Sequence, residues 1–84
     1  MIEELAWFDA VGLIGSAIIV AAYYMATRGL LPADKIPFNA ANIAGGSLEM
    51  ISLIYRPNPG AIVIEVMFLL IAILAILRNL RARA

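Results

Sequence analysis

Three apolar runs, separated by two short breaks, fill most of this 84-residue chain. Residues 10–27 (AVGLIGSAIIVAAYYMAT) carry no charge. Residues 36–55 (IPFNAANIAGGSLEMISLIY) are interrupted only by Glu49, and residues 61–77 (AIVIEVMFLLIAILAIL) only by Glu65. Each run is close to the roughly 17–25 residues that a helix needs to cross about 30 Å of hydrocarbon. The expected fold is therefore all-α: one integral membrane domain over residues 1–84, with three transmembrane helices in a small bundle. The breaks read as turns. Residues 28–35 (RGLLPADK) hold Gly29 and Pro32, and residues 56–60 (RPNPG) are turn-forming by composition. Pro37 suits the first turn of the second helix, where its missing N–H costs nothing.

Composition agrees. The chain is 64% hydrophobic and 14% charged, more apolar surface than a soluble domain of this size can bury, so lipid has to cover part of it. A zero formal net charge argues against a nucleic-acid partner. Cysteine and histidine are absent, which removes disulfides, thiol chemistry and the usual structural zinc sites. No metal or cofactor is expected. Nor is a cleaved signal peptide, because Glu3 and Glu4 stand where a basic leader would have Lys or Arg.

Charge also sets the expected orientation. Arg28 and Lys35 in the first loop, with Arg78, Arg81 and Arg83 after the third run, fall on one side of a three-span protein. The other side has Arg56, accompanied by Glu3, Glu4 and Asp9. Positive residues favour the cytoplasm, so the reading is a multi-pass protein of the bacterial inner membrane, N-terminus periplasmic and C-terminus cytoplasmic. Trp7, Phe8 and Tyr55 then belong to the outer interface and Tyr23 and Tyr24 to the inner one, as an aromatic belt requires.

The polar and small residues are not scattered. Gly12, Gly15 and Ser16 lie in the first helix, and small residues four apart let helix backbones approach closely in lipid. They serve either packing within the chain or a dimer seam. In the second helix Asn39, Asn42, Gly46 and Glu49 are spaced three, four and three apart, which places them on one helical face with Gly45 and Ser52 beside it. Phe38, Ile43, Leu48, Met50 and Ile51 form the opposite, apolar side. The polar face reads either as hydrogen-bonding glue between helices or as a site for a cation, proton or polar solute. In the third helix only Glu65, Ala72 and Ala75 depart from large apolar residues.

A carboxylate in hydrocarbon is expensive, so Glu49 and Glu65 should face protein or water and have partners. At ~1.5 Å per residue, Glu49 lies about 9 Å and Glu65 about 6 Å from the same membrane face. The short turn between their helices makes them neighbours, with Arg56 at the mouth. Two adjacent carboxylates cannot both ionise cheaply, and a shared proton, Arg56 or a cation from another chain would each resolve this. The basic tail of Arg78, Arg81 and Arg83 reads as an anchor against anionic headgroups. No glycine loop is placed to cradle phosphate, and no nucleophile has a base beside it. The chain is not expected to be an enzyme.

The layout resembles that of small bacterial three-helix inner-membrane proteins. The likeness rests on Gly12 and Gly15, on Ala22-Tyr23 closing the first helix, on Asn42-Ile43-Ala44-Gly45 in the second, and on the Asn-containing turn before the third. It is also similar in plan to the half-size transporters of the PQ-loop, or semi-SWEET, type, which enclose a polar site between two copies. Here Tyr23-Tyr24 stands in place of their Pro-Gln pair. Two functions follow as expectations. One is a non-catalytic accessory subunit packing into a larger inner-membrane complex, such as an energy-transducing one. The other is a homodimeric half-transporter for a small polar solute. The expected partners are the lipid bilayer and either other membrane subunits or a second copy of the chain.

Overall fold

A computed structural model of the chain describes residues 5–83, so Glu3 and Glu4 lie outside the described residues. The fold is all-α, with three helices: α1 (Trp7–Thr27), α2 (Ile36–Tyr55) and α3 (Pro59–Arg83). The bounds of α2 are those the sequence predicts. α1 begins at Trp7 rather than residue 10 because Asp9, in its first turn, accepts a hydrogen bond on Oδ2 from the Ala6 N–H at 2.9 Å. A carboxylate there satisfies a free N–H and complements the helix dipole.

The larger correction is to α3, which runs from Pro59 to Arg83 rather than over 61–77. Its start is set by Asn58, whose Oδ1 accepts the Ala61 N–H at 3.2 Å, with Pro59 in the first helical position. Its end lies beyond the apolar run because Arg, Leu and Ala are all good helix formers. Charge ends an apolar run without ending a helix.

Near the start of the α1–α2 loop Gly29 stands at φ +76°. Around it the Leu30 N–H donates to the Met25 carbonyl at 2.9 Å and the Gly29 N–H to the Ala26 carbonyl at 3.1 Å. This paired closure needs a left-handed residue just past the helix, which glycine adopts without a Cβ penalty.

α2 is central and packs on both neighbours, whereas the backbones of α1 and α3 stay more than 8 Å apart among the described residues. The interior is made of small and polar residues: Gly15, Ala22, Asn39, Gly45, Gly46, Glu65, Ala72 and Ala75 are buried. Among the described residues no large side chain is fully buried, while Leu13, Ile14, Val20, Phe68, Leu70, Ile71 and Leu74 stand exposed. This inverts the arrangement of a soluble core and suits lipid, where close packing of small residues joins helices. α1 and α3 are long and apolar enough to cross a membrane. α2, with its Asn, Ser and Glu, does not meet the same measure. Nor is the apolar side of α2 free for lipid throughout, because Leu48 packs on α1 at Gly15.

The two ends differ. At the end carrying the α2–α3 turn, the Phe8 and Tyr55 rings stack at 4.7 Å and Trp7 meets Tyr55 edge-on at 5.1 Å. At the end carrying the α1–α2 loop, the Asn79 amide joins α3 to that loop, donating to the Asp34 carbonyl at 2.7 Å.

Candidate functional site

The site is built where α2 meets both neighbours. At the α1–α2 crossing, a Cβ on Gly15 would stand 2.5 Å from the Gly45 carbonyl oxygen, and one on Gly45 2.7 Å from the Gly15 carbonyl oxygen. Only glycine at both positions permits this approach. One turn toward the α2–α3 end, Gly12 sits against Ser52, whose Oγ would be 2.7 Å from an added Cβ. The same approach brings Ser16 to Glu49, and the Ser16 Oγ–H donates to Glu49 Oε1 at 2.5 Å. Thus Gly12, Gly15 and Ser16 all face α2 of the same chain.

The opposite flank of α2 meets α3 at Gly46, where an added Cβ would lie 3.1 Å from both Glu65 Oε2 and Leu69 Cδ2. Glu65 is only 6% exposed. Its carboxyl interacts with that of Glu49, while Oε2 has no hydrogen-bond partner among the described residues. Two carboxyl groups can hydrogen-bond to each other only through a proton carried by one of them. Ser16, Glu49 and Glu65 therefore form a polar line from α1 through α2 to α3. Glu49, Ser16, Ser52, Asp9 and Gly12 also line a cleft of about 330 Å³ whose remaining walls are Leu5, Leu13, Leu53 and Ala61. The cleft offers carboxylate and hydroxyl oxygens on an apolar ground, a match for an amine, amide or hydroxyl donor. Among the described residues no group of three or more His, Cys, Asp or Glu is placed to hold a metal ion.

The remaining predicted residues go elsewhere. Arg56 does not bridge the glutamates: its Nε donates to Asp9 Oδ1 at 2.8 Å, and its guanidinium carbon lies 5.3 Å over the Phe8 ring. Asp9 thereby ties the start of α1 to the end of α2. Its place in the first turn of a helix was the signal for the capping role, but nothing in the sequence marked Arg56 as its partner. Asn39 is buried, and its amide is committed to the loop, donating to the Ala33 carbonyl at 3.0 Å and the Lys35 carbonyl at 2.8 Å. Asn42 is half-buried and shares with Asn39, Tyr23 and Phe68 a second cleft of about 320 Å³ nearer the α1–α2 loop. The polar face of α2 is thus divided, with Glu49 in one cleft and the two asparagines in the other.

No curated protein and no solved structure matches the chain. The likeness to PQ-loop half-transporters finds no support in these comparisons. A family model does match, over residues 8–83, a span that takes in nearly all of α1 and the whole of α2 and α3. By that match the chain belongs to an uncharacterised family of small three-helix proteins.

Proposed function

We propose that this chain is a non-catalytic integral membrane protein of the bacterial inner membrane that acts by packing into a larger membrane assembly. One observation carries the reading: the backbones of α1 and α3 stay apart on either side of α2, and the cleft holding Glu49, Ser16 and Ser52 opens to the surface rather than closing inside the bundle. Polar groups facing hydrocarbon are costly, and a covering helix from another chain removes that cost. On this reading α2 crosses the membrane as a third span, its polar face shielded by α1, α3 and the partner.

The test is recovery of the tagged chain from mild detergent. It should travel with a fixed set of other membrane chains at constant stoichiometry. Recovery as a free monomer, together with solute uptake by vesicles containing the chain alone, would overturn the proposal. The alternative, a homodimeric half-transporter, draws its support from the mixed polar and apolar lining of the 330 Å³ cleft. A symmetric dimer of this chain alone, active in uptake, is the result that favours it.

Orientation follows from charge. Arg28, Lys35, Arg78, Arg81 and Arg83 gather at one end and Arg56 stands at the other, so the α1–α2 loop and the C-terminus are expected in the cytoplasm. A C-terminal reporter that works only in the cytoplasm is the expected outcome, and activity confined to the periplasm would reverse the topology.

A further inference from the structure

We propose that the end carrying the α1–α2 loop holds a binding site for the phosphate headgroup of an anionic phospholipid, formed by Lys35 and Arg78. The inference rests on the membrane reading above and adds to it a defined lipid site. The Asn79 side-chain amide donates both to the Asp34 carbonyl at 2.7 Å and to the Ala75 carbonyl at 2.9 Å. One side chain therefore clamps the loop onto the last turns of α3. The clamp fixes Lys35, at the start of α2, relative to Arg78 on α3. Together with Asp34, Asn79 and Ala82 these two cations line a cleft of about 450 Å³.

Charge selects the occupant. Among the described residues the one ion pair is Arg56 with Asp9, at the far end of the molecule, so neither Lys35 nor Arg78 has its charge compensated there. Asp34 is the single carboxylate lining the cleft. Arg28, Arg81 and Arg83 lie at the same end and strengthen the positive field. A guanidinium and an ammonium converging on one space suit a phosphate, which the first can bind in bidentate fashion and the second as a point charge. Surroundings distinguish a lipid from a free anion. Leu74, one turn before Arg78 on the same side of α3, is exposed and offers an acyl chain a surface beside the headgroup cleft. Free phosphate would have no use for it.

The experiment uses the full chain in detergent micelles, with lipid binding followed by native mass spectrometry and by thermal melting. The probes are phosphatidylglycerol, phosphatidylcholine and inorganic phosphate. The chain should retain and be stabilised by phosphatidylglycerol in preference to phosphatidylcholine. Lys35→Gln and Arg78→Gln should each lower that affinity about fivefold, the factor equivalent to ~1 kcal/mol per cation near a membrane surface. Arg83→Gln removes the same charge from the same end but lies outside the cleft, and should keep the wild-type preference.

Three results would overturn the site. The first is equal retention of the two lipids by the unaltered chain, which requires no variant to fold. The second is a loss with Arg83→Gln as large as with Arg78→Gln, meaning a diffuse field with no site. The third is displacement of the lipid by inorganic phosphate, meaning a site for the free anion. A chain found only in the soluble fraction would instead overturn the membrane reading, and the lipid site with it.

Discussion

Gly15→Ala should separate α1 from α2. The added methyl would stand 2.5 Å from the Gly45 carbonyl oxygen and 3.0 Å from Leu48 Cβ. The first of these is helix backbone, which cannot swing aside as a side chain can. Overpacking a tight interior costs about 1–3 kcal/mol where side chains can adjust, and backbone against backbone belongs at or beyond the upper end. Gly45→Ala should behave alike, since its methyl would meet the Gly15 carbonyl oxygen and Ile19 Cγ1, both at 2.7 Å. Gly46→Ala is a milder change because its contacts, at 3.1 Å, are the Glu65 carboxyl and the end of Leu69, and both side chains can rotate. Gly46→Leu should be severe, because the longer side chain has to displace Glu65 as well. Ile73→Leu, on an exposed position of α3, is the neutral control. Unfolding in detergent would measure all five. A Gly15→Ala protein as stable as Gly46→Ala would show that the crossing is looser than described.

Glu49→Leu is expected to release the chain from its assembly, and Glu49→Gln to leave it in place. Glutamine keeps the oxygen that accepts the Ser16 hydroxyl, a bond of 2.5 Å in the native chain, and adds an amide that can donate to Glu65. Leucine removes both interactions and leaves Ser16 and Glu65 facing an apolar side chain. Interhelical hydrogen bonds in membranes contribute about 0.6 kcal/mol on average and up to about 1.7. A short bond to a carboxylate belongs near the top of that range, so recovery of partner chains should fall about tenfold. Equal recovery with leucine and glutamine would mean that Glu49 has no part in assembly. If glutamine loses the partner as fully as leucine does, the charge itself is what the partner recognises, and a cationic group on that chain becomes the object to look for.

Much of this arrangement is legible from residue order because the forces behind it are local. Hydrophobic length marks the helices, and the bounds of α2 agree at both ends. A short turn makes α2 and α3 neighbours, and helical rise puts Glu49 and Glu65 at similar depth; the structure brings the two carboxyls together. Trp7, Phe8 and Tyr55 share one end for the same reason of depth, and there Phe8 stacks on Tyr55 while Trp7 meets both rings edge-on.

The partners of the polar side chains are a different matter. Arg56 was as near in sequence to Glu49 as to any acid, yet it pairs with Asp9, 47 residues away. Asn39 lies on the same helical stripe as Glu49, yet its amide is used to hold the loop. Asn79 sits in what reads as a tail, yet it clamps that loop to α3. Periodicity gives the direction in which a side chain leaves its helix, but the identity of what it meets depends on the rotation and offset of the neighbouring helix. In this chain those are set by the contact of Gly15 with Gly45 and of Gly46 with Glu65 and Leu69. Residue order alone specifies three helices, their apolar exteriors and the small-residue positions where they can approach. Which glycine meets which carbonyl depends on how the helices dock, and with that contact came the pairing of Ser16 with Glu49.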